Sequence, residues 1–189
     1  KHRFFFMLAG AGFLLLLNFV LQVVFTTTPD WNMTRALTED SIICDIPRND
    51  ASASLNLSHN PNQFYQLLYY VTHNFGHFAG LALVRLKYFF GMVRDYYSSA
   101  HNGFLVAYLL LFYGSIILGI KRIIRSVSLP LLTFVLFTII VFAATIALQC
   151  DDYHNRFFLT LTPLFAFLTV VVCKPLIIRV SSFLKQRIG

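Results

Sequence analysis

The densest group of chemically capable side chains lies in one short stretch near the carboxyl end, residues 150 to 156. It reads Cys-Asp-Asp-Tyr-His-Asn-Arg, so carboxylates, an imidazole and a guanidinium follow one another closely. A guanidinium can bind a phosphate through two parallel hydrogen bonds, most strongly where water screens the charge poorly. We therefore single out Arg156 as a candidate phosphate ligand. The alternative is that Arg156 extends toward water or pairs with Asp151 or Asp152 to fasten a turn.

A second polar group, residues 94 to 102, offers hydroxyls, an imidazole and an amide that could line a substrate pocket. It reads Arg-Asp-Tyr-Tyr-Ser-Ser-Ala-His-Asn. Such residues also cap helices and solvate loops, and that alternative stays open. From the two groups together we take six candidate substrate-binding residues: Arg156, His154, Asp152, Asp151, Tyr97 and His101.

Other catalytic patterns give little support. His73 and His77 have the i and i+4 spacing of two metal ligands on one helix, but no third ligand is apparent in the sequence. The chain has no glycine-rich phosphate loop, no Cys-x-x-Cys pair and no Gly-x-Ser-x-Gly elbow. We therefore assign no catalytic residue, no metal and no cofactor.

The elements that must position these groups are apolar helices. Hydrophobic residues make up 57% of the chain and charged residues only 12%, which is typical of an integral membrane protein. Residues 4 to 26, 104 to 120, 129 to 149 and 157 to 173 contain no Lys, Arg, Asp or Glu. Each run reaches the range of about 17 to 25 residues in which a helix that rises ~1.5 Å per residue can cross the hydrocarbon core of a bilayer.

The charges give the orientation of these spans. Nine of the fifteen Lys and Arg residues fall on one side of the membrane, and all eight carboxylates can be placed on the other. Because cytoplasmic loops carry the excess of basic residues, we expect both termini in the cytoplasm, with a bacterial inner membrane as the location. The net charge of +7 is spread over short clusters at span ends, which suits lipid headgroups and gives no reason to expect nucleic acid.

The predicted fold is all-α: a polytopic membrane protein with four transmembrane helices and extracytoplasmic interfacial amphipathic helices. Its parts are a first span (1–26), an extracytoplasmic loop (27–63), interfacial helices (64–103) and a three-helix transmembrane module with a basic cytoplasmic tail (104–189). A fifth crossing within 64–97 is the alternative, but it would turn the basic turn at 121–125 outward. Cys44 and Cys150 both fall outside, and the sequence leaves their pairing open.

Two segments resemble multi-pass glycosyltransferases of the GT-C class, which use polyprenyl-phosphate-linked sugars. They are Leu86-Lys87-Tyr88-Phe89-Phe90 through Tyr96 to Asn102, and Asp152-Tyr153-His154-Asn155-Arg156-Phe157-Phe158 through Pro163. The resemblance covers about residues 64 to 180. It implies that Arg156 faces the phosphate of the lipid-linked donor and that 94–102 lies beside the donor or acceptor pocket. Such enzymes keep their catalytic carboxylate in the first outer loop of a larger amino-terminal module, and the segment around Asp30 lacks the paired acids of that loop.

Two functions follow as hypotheses. The first is the lipid-donor-binding, carboxyl-terminal portion of such a transferase, acting on the extracytoplasmic face. The second is a non-catalytic four-helix accessory subunit of a larger membrane complex. A eukaryotic adhesion protein with glycans at Asn32 and Asn56 ranks last. The expected partners are membrane lipids, a polyprenyl-phosphate-linked sugar and other membrane protein subunits.

Overall fold

The computed structural model describes residues 34–44, 46–151 and 154–188, with side chains as far as Pro175, and four isolated residues before them, Gly12, Leu16, Phe19 and Val20. This part of the chain is helical and contains no β-strand. A short 3₁₀ helix covers Ser52–Ser54, and the α-helices in chain order are α1 Arg35–Thr38, α2 Gln63–His73, α3 Phe75–Gly91, α4 Ser99–Ser126, α5 Leu129–Leu148, α6 Arg156–Leu159 and α7 Thr162–Ile188.

The chain divides into two compact units. One consists of Lys1–Arg85 with Ala147–Cys150, and the other of Leu86–Ile146 with Asp151–Gly189. In the first unit a disulfide joins Cys44 to Cys150, whose Cα atoms are 5.2 Å apart. The pairing that the sequence left open is therefore present in the structure, between residues 106 positions apart.

Asparagine side chains set both ends of α2 in the first unit. Asn62 begins the helix, because its side chain accepts a hydrogen bond from the Tyr65 N–H at 2.9 Å. Asn74 follows its last residue and exchanges two bonds with the backbone of Asn56, one to the N–H at 2.9 Å and one to the carbonyl at 2.8 Å. Because Asn74 ends the helix, α2 and α3 are separate helices within the expected interfacial segment. Their placement in the interface stays a prediction.

The second unit is built on close parallel packing of α4 and α7. Tyr108 lies against Thr162, with 3.0 Å between their hydroxyl oxygens, and Ser115 lies against Thr169 at 2.9 Å. The second contact lies seven residues after the first on each helix. Because the residue numbers rise together on both helices, α4 and α7 run in the same direction. Phenylalanines of α3, α4, α6 and α7 fill a common core: Phe89, Phe112, Phe158 and Phe165.

Two helices, α4 and α5, are long and apolar enough to cross a membrane, and only a small part of either is buried inside the protein. They correspond to the expected spans at 104–120 and 129–149. The first expected span, 4–26, lies outside the described residues except for the four isolated positions. The fourth, 157–173, is divided into α6 and α7, and the apolar part of α7, Thr162–Pro175, is shorter than the other two. The structure therefore supports two of the four expected spans.

Gly119 allows α4 to lie close to Val172 of α7. A Cβ at this position would overlap both methyl groups of Val172 and would lie 2.9 Å from the Val172 Cβ. Because valine is β-branched and nearly fixed in one rotamer in a helix, it cannot turn away from the added group.

Substitution of Gly119 by Ala should destabilise the protein by about 1–3 kcal/mol, because the added methyl overpacks the contact between the helices. Gly114→Ala on the same helix is the matched control, since a Cβ there meets nothing within 4 Å. Removing a helical glycine at an open position should be neutral or stabilising. Unfolding by SDS titration in mixed micelles, followed by circular dichroism, measures both variants. Val172→Ala should restore stability to Gly119→Ala, and equal effects at 114 and 119 would contradict the packing argument.

Candidate functional site

The candidate site is organised around an ion pair that has no exposed surface. Arg94 Nη2 donates to Asp151 Oδ2, and both side chains are fully buried. Arg94 Nη1 also donates to the carbonyls of Tyr88, at 2.7 Å, and Val93, at 3.3 Å. Two charges in a poorly solvated place are tolerated only when they are paired and hydrogen-bonded. Both terminal nitrogens of Arg94 meet that condition, whereas its buried Nε has no hydrogen-bond partner among the described residues.

The segment that follows α3 is shaped by Arg94 and its neighbours. Met92 adopts a left-handed backbone conformation with φ of 56°. The Asn102 side chain brackets the backbone of Arg94: its Nδ2 donates to the carbonyl at 2.9 Å, and its Oδ1 accepts from the N–H at 3.3 Å. The first turn of α4 thereby holds the loop that carries Tyr96 and Tyr97.

Asn155 connects that loop to Arg156. It is buried and left-handed, with φ of 58°, a conformation that asparagine adopts more readily than most residues. Its Nδ2 donates to the Met92 carbonyl at 2.9 Å and to the Tyr97 hydroxyl at 3.4 Å. The next residue, Arg156, is exposed and begins α6. Asn155 therefore fixes the backbone from which the Arg156 guanidinium extends.

Three aromatic rings near the start of α4 also belong to the candidate site. Tyr97 and His101 stack with their ring centroids 4.3 Å apart and their planes 14° from parallel. Tyr96 meets Tyr97 edge to face at 4.9 Å. The His101 ring is exposed, and its backbone N–H is held by the Ser98 hydroxyl at 3.2 Å.

The structure thus brings together Tyr97, His101 and the chain segment that holds exposed His154 and Arg156. Asp151 is buried in its pair with Arg94, and Asp152 lies outside the described residues. Sequence reasoning did not single out Arg94 or Asn155. The local signal for Asn155 was its residue type, since asparagine adopts the left-handed form more readily than most residues. No local signal existed for the pairing of Arg94 with a residue 57 positions away.

A separate buried arginine, Arg85, orders the first unit. Its guanidinium donates to three carbonyls: Ser41 at 2.8 Å, Ala147 at 3.1 Å and Ala36 at 2.7 Å. Burial lowers the pKa of Arg85 to about 10, against the opposing influence of Tyr70 and Asp40, so the group stays charged at neutral pH. It therefore acts as a buried cation held by backbone dipoles.

The histidine pair considered as metal ligands has other partners. His77 Nδ1 lies 2.5 Å from the Tyr70 hydroxyl, and its Nε2 lies 2.7 Å from Asp40 Oδ1. Burial raises the pKa of Tyr70 to about 12, so its hydroxyl keeps its proton at neutral pH. His73 Nδ1 is 2.9 Å from the Tyr69 carbonyl oxygen, and its ring stacks on that tyrosine. Within the described ranges, no three His, Cys, Asp or Glu side chains converge as metal ligands would.

Comparison with known proteins gives no relative: no protein-family model, no curated protein and no solved structure matches this chain.

Replacement of Arg94 by Met should destabilise the protein by about 3–5 kcal/mol, because the Asp151 carboxylate stays buried without its partner. The double variant Arg94→Met/Asp151→Leu should lose less than the sum of the two single variants. The single and double variants together form a double-mutant cycle, which measures the coupling energy of the pair. The matched control is the pair of Arg35 with Glu39 at the surface, 2.8 Å apart, where such a cycle should give a coupling energy of at most about 1 kcal/mol. Unfolding free energies in mixed micelles provide both cycles. Equal coupling at the two pairs would refute the structural role of the buried one.

Proposed function

We propose that this chain is the lipid-donor-binding portion of a GT-C-type membrane glycosyltransferase acting on the extracytoplasmic face. In this proposal Arg156 binds the phosphate of a polyprenyl-phosphate-linked sugar, and residues 94–102 lie beside the sugar. The catalytic base comes from another part of the enzyme. Of the carboxylates described in the second unit, Asp151 is occupied by Arg94, and Asp95 is exposed.

The observation that carries the proposal is the way Arg156 is presented. It is exposed, it opens α6 shortly before the apolar helix α7, and the preceding residue is held by two side-chain hydrogen bonds. A guanidinium on a fixed backbone loses less conformational freedom when it binds an anion, so the bidentate geometry preferred by a phosphate is favoured. A lipid phosphate is the anion that a membrane supplies at the end of apolar helices.

Sidedness is supported by the disulfide and by the basic turn. Cys150 stands six residues before Arg156, and such a segment spans at most about 20 Å, too little to cross a bilayer. Because disulfides persist in oxidising compartments, the Cys44–Cys150 bond favours an extracytoplasmic position for Arg156. The basic residues at 121–125 lie in the last turns of α4, at the end away from residues 94–102. The 28 residues of α4 extend about 42 Å, which exceeds the thickness of the hydrocarbon core.

An accessory subunit is the second candidate. Large apolar side chains of α4 and α5 are widely exposed, including Leu118 at 89%, Leu129 at 75% and Ile117 at 70%. Partner helices could cover this surface as well as lipid. This candidate predicts that substitutions on the apolar face, and not at Arg156, disturb the function of the complex.

The Arg156→Ala variant should weaken binding of polyprenyl phosphate by about 10- to 100-fold, as expected for lost hydrogen bonds to a charged group. Arg156→Lys should fall between wild type and alanine, since lysine keeps the charge but not the planar fork. The measurement is a titration of polyprenyl phosphate into the protein in neutral-lipid nanodiscs, read by native mass spectrometry. Lys121→Ala, an exposed cation near the other end of α4, is the control and should bind like wild type. Unchanged affinity in Arg156→Ala would reject this role and favour the accessory subunit.

A further inference from the structure

The aromatic side chains around the start of α4 form a surface that packing alone does not explain. Tyr97 is half-buried against the core, the His101 ring covers one of its faces, and Tyr96 touches its edge. Tyr96 is 42% exposed and His101 is exposed as well, so two rings present surface to the surroundings. We call Tyr96, Tyr97 and His101 the aromatic platform.

Hydrogen bonds from neighbouring side chains hold the platform in place. Asn155 Nδ2 donates to the Tyr97 hydroxyl, and the Ser98 hydroxyl accepts from the His101 N–H. The Asn102 side chain holds both backbone groups of Arg94, two positions before Tyr96. These bonds hold the Tyr97 ring and the backbone around the platform, which reduces the conformational freedom lost when a ligand binds.

A carboxylate residue, Asp95, directly precedes Tyr96 of the platform in the chain. Asp95 is exposed, and its Oδ2 is 3.4 Å from the hydroxyl of Tyr88. Aromatic faces pack against the C–H face of a pyranose ring, while a carboxylate accepts hydrogen bonds from its hydroxyls. Exposed rings beside an exposed acid therefore match a neutral sugar better than they match a second phosphate, which the carboxylate would repel.

We propose that the aromatic platform and Asp95 bind the sugar ring of the lipid-linked donor, with Tyr96 and His101 stacking on the ring and Asp95 accepting from its hydroxyls. This inference rests on the proposed function, because the phosphate bound by Arg156 places the sugar nearby. The backbone supports one continuous site: Asn155, which contacts Tyr97, is the residue directly before Arg156.

The test compares two ligands in the same nanodiscs, polyprenyl phosphate and polyprenyl-phosphate monosaccharides, with glucose, mannose and galactose as the sugar probes. At least one sugar-bearing probe should bind wild type more tightly than the bare phosphate. Tyr96→Ala and His101→Ala should each weaken that probe by on the order of tenfold and leave polyprenyl phosphate within twofold. Tyr96→Phe and His101→Phe keep the ring face and should retain most of the affinity. Asp95→Asn should weaken the sugar-bearing probe alone.

The outcomes separate the two proposals. If Arg156→Ala weakens both ligands while the platform variants weaken neither, the phosphate site stands and the sugar platform is wrong. If the platform variants weaken both ligands equally, their role is structural and the inference fails. If wild type binds neither ligand, or if Arg156→Ala changes neither, the proposed function fails and the inference fails with it.

Discussion

The interaction on which the rest of the structure depends is the burial of two guanidinium groups, Arg85 and Arg94. Neither has any exposed surface. Removing such a charge from water costs several kcal/mol unless the surroundings replace the lost hydrogen bonds. Arg94 is compensated by Asp151 and two carbonyls, and Arg85 by three carbonyls. The Ala147 carbonyl belongs to the last turn of α5, where a helix leaves oxygens without intrahelical partners and carries partial negative charge. The Ala36 carbonyl, in α1, also accepts the N–H of Ser41 at 2.9 Å.

The segment from Cys150 to Asn155 is held at several of its residues, and this bears on the proposed binding role of Arg156. The disulfide holds Cys150 and the ion pair holds Asp151, so two consecutive residues after α5 are tied down by independent bonds. Asn155 is then fixed by the Met92 carbonyl and the Tyr97 hydroxyl. Arg156 directly follows Asn155, and Asn155 bonds to Tyr97 of the aromatic platform. If these residues bind a ligand, a fixed backbone reduces the entropy lost on binding.

The long apolar runs made the positions of the long helices predictable. The contacts that single residues make with distant parts of the chain were not predictable. The run at 129–149 predicts α5 almost to the residue, whereas α4 extends past 104–120 because Ser98 caps it and its basic end stays helical. Pro163, expected inside a span, instead stands in the first turn of α7, where its missing N–H costs little. The burial of Arg85 and Arg94 was not predictable from the sequence. Arg85 bonds to Ser41 and Ala147 and Arg94 to Asp151, at separations of 44 to 62 positions, and no periodicity reveals such contacts. The candidate site residues Tyr97, His101 and Arg156 were chosen by residue type, whereas Asn155, which bonds to Tyr97 and precedes Arg156, was not chosen.

The most direct test of the central claim is hydrogen–deuterium exchange of the protein in lipid nanodiscs, comparing wild type with Arg85→Met and Arg94→Met. If buried guanidinium groups hold these segments, Arg85→Met should speed exchange of the amides of residues 37–39 and 41, which bond to the carbonyls of residues 34–36. Arg94→Met should speed exchange at 159–161, where α6 bonds to Asn155, Arg156 and Phe158. The middle of α5 should exchange as in wild type in both variants. Unchanged exchange in both polar segments would contradict the account.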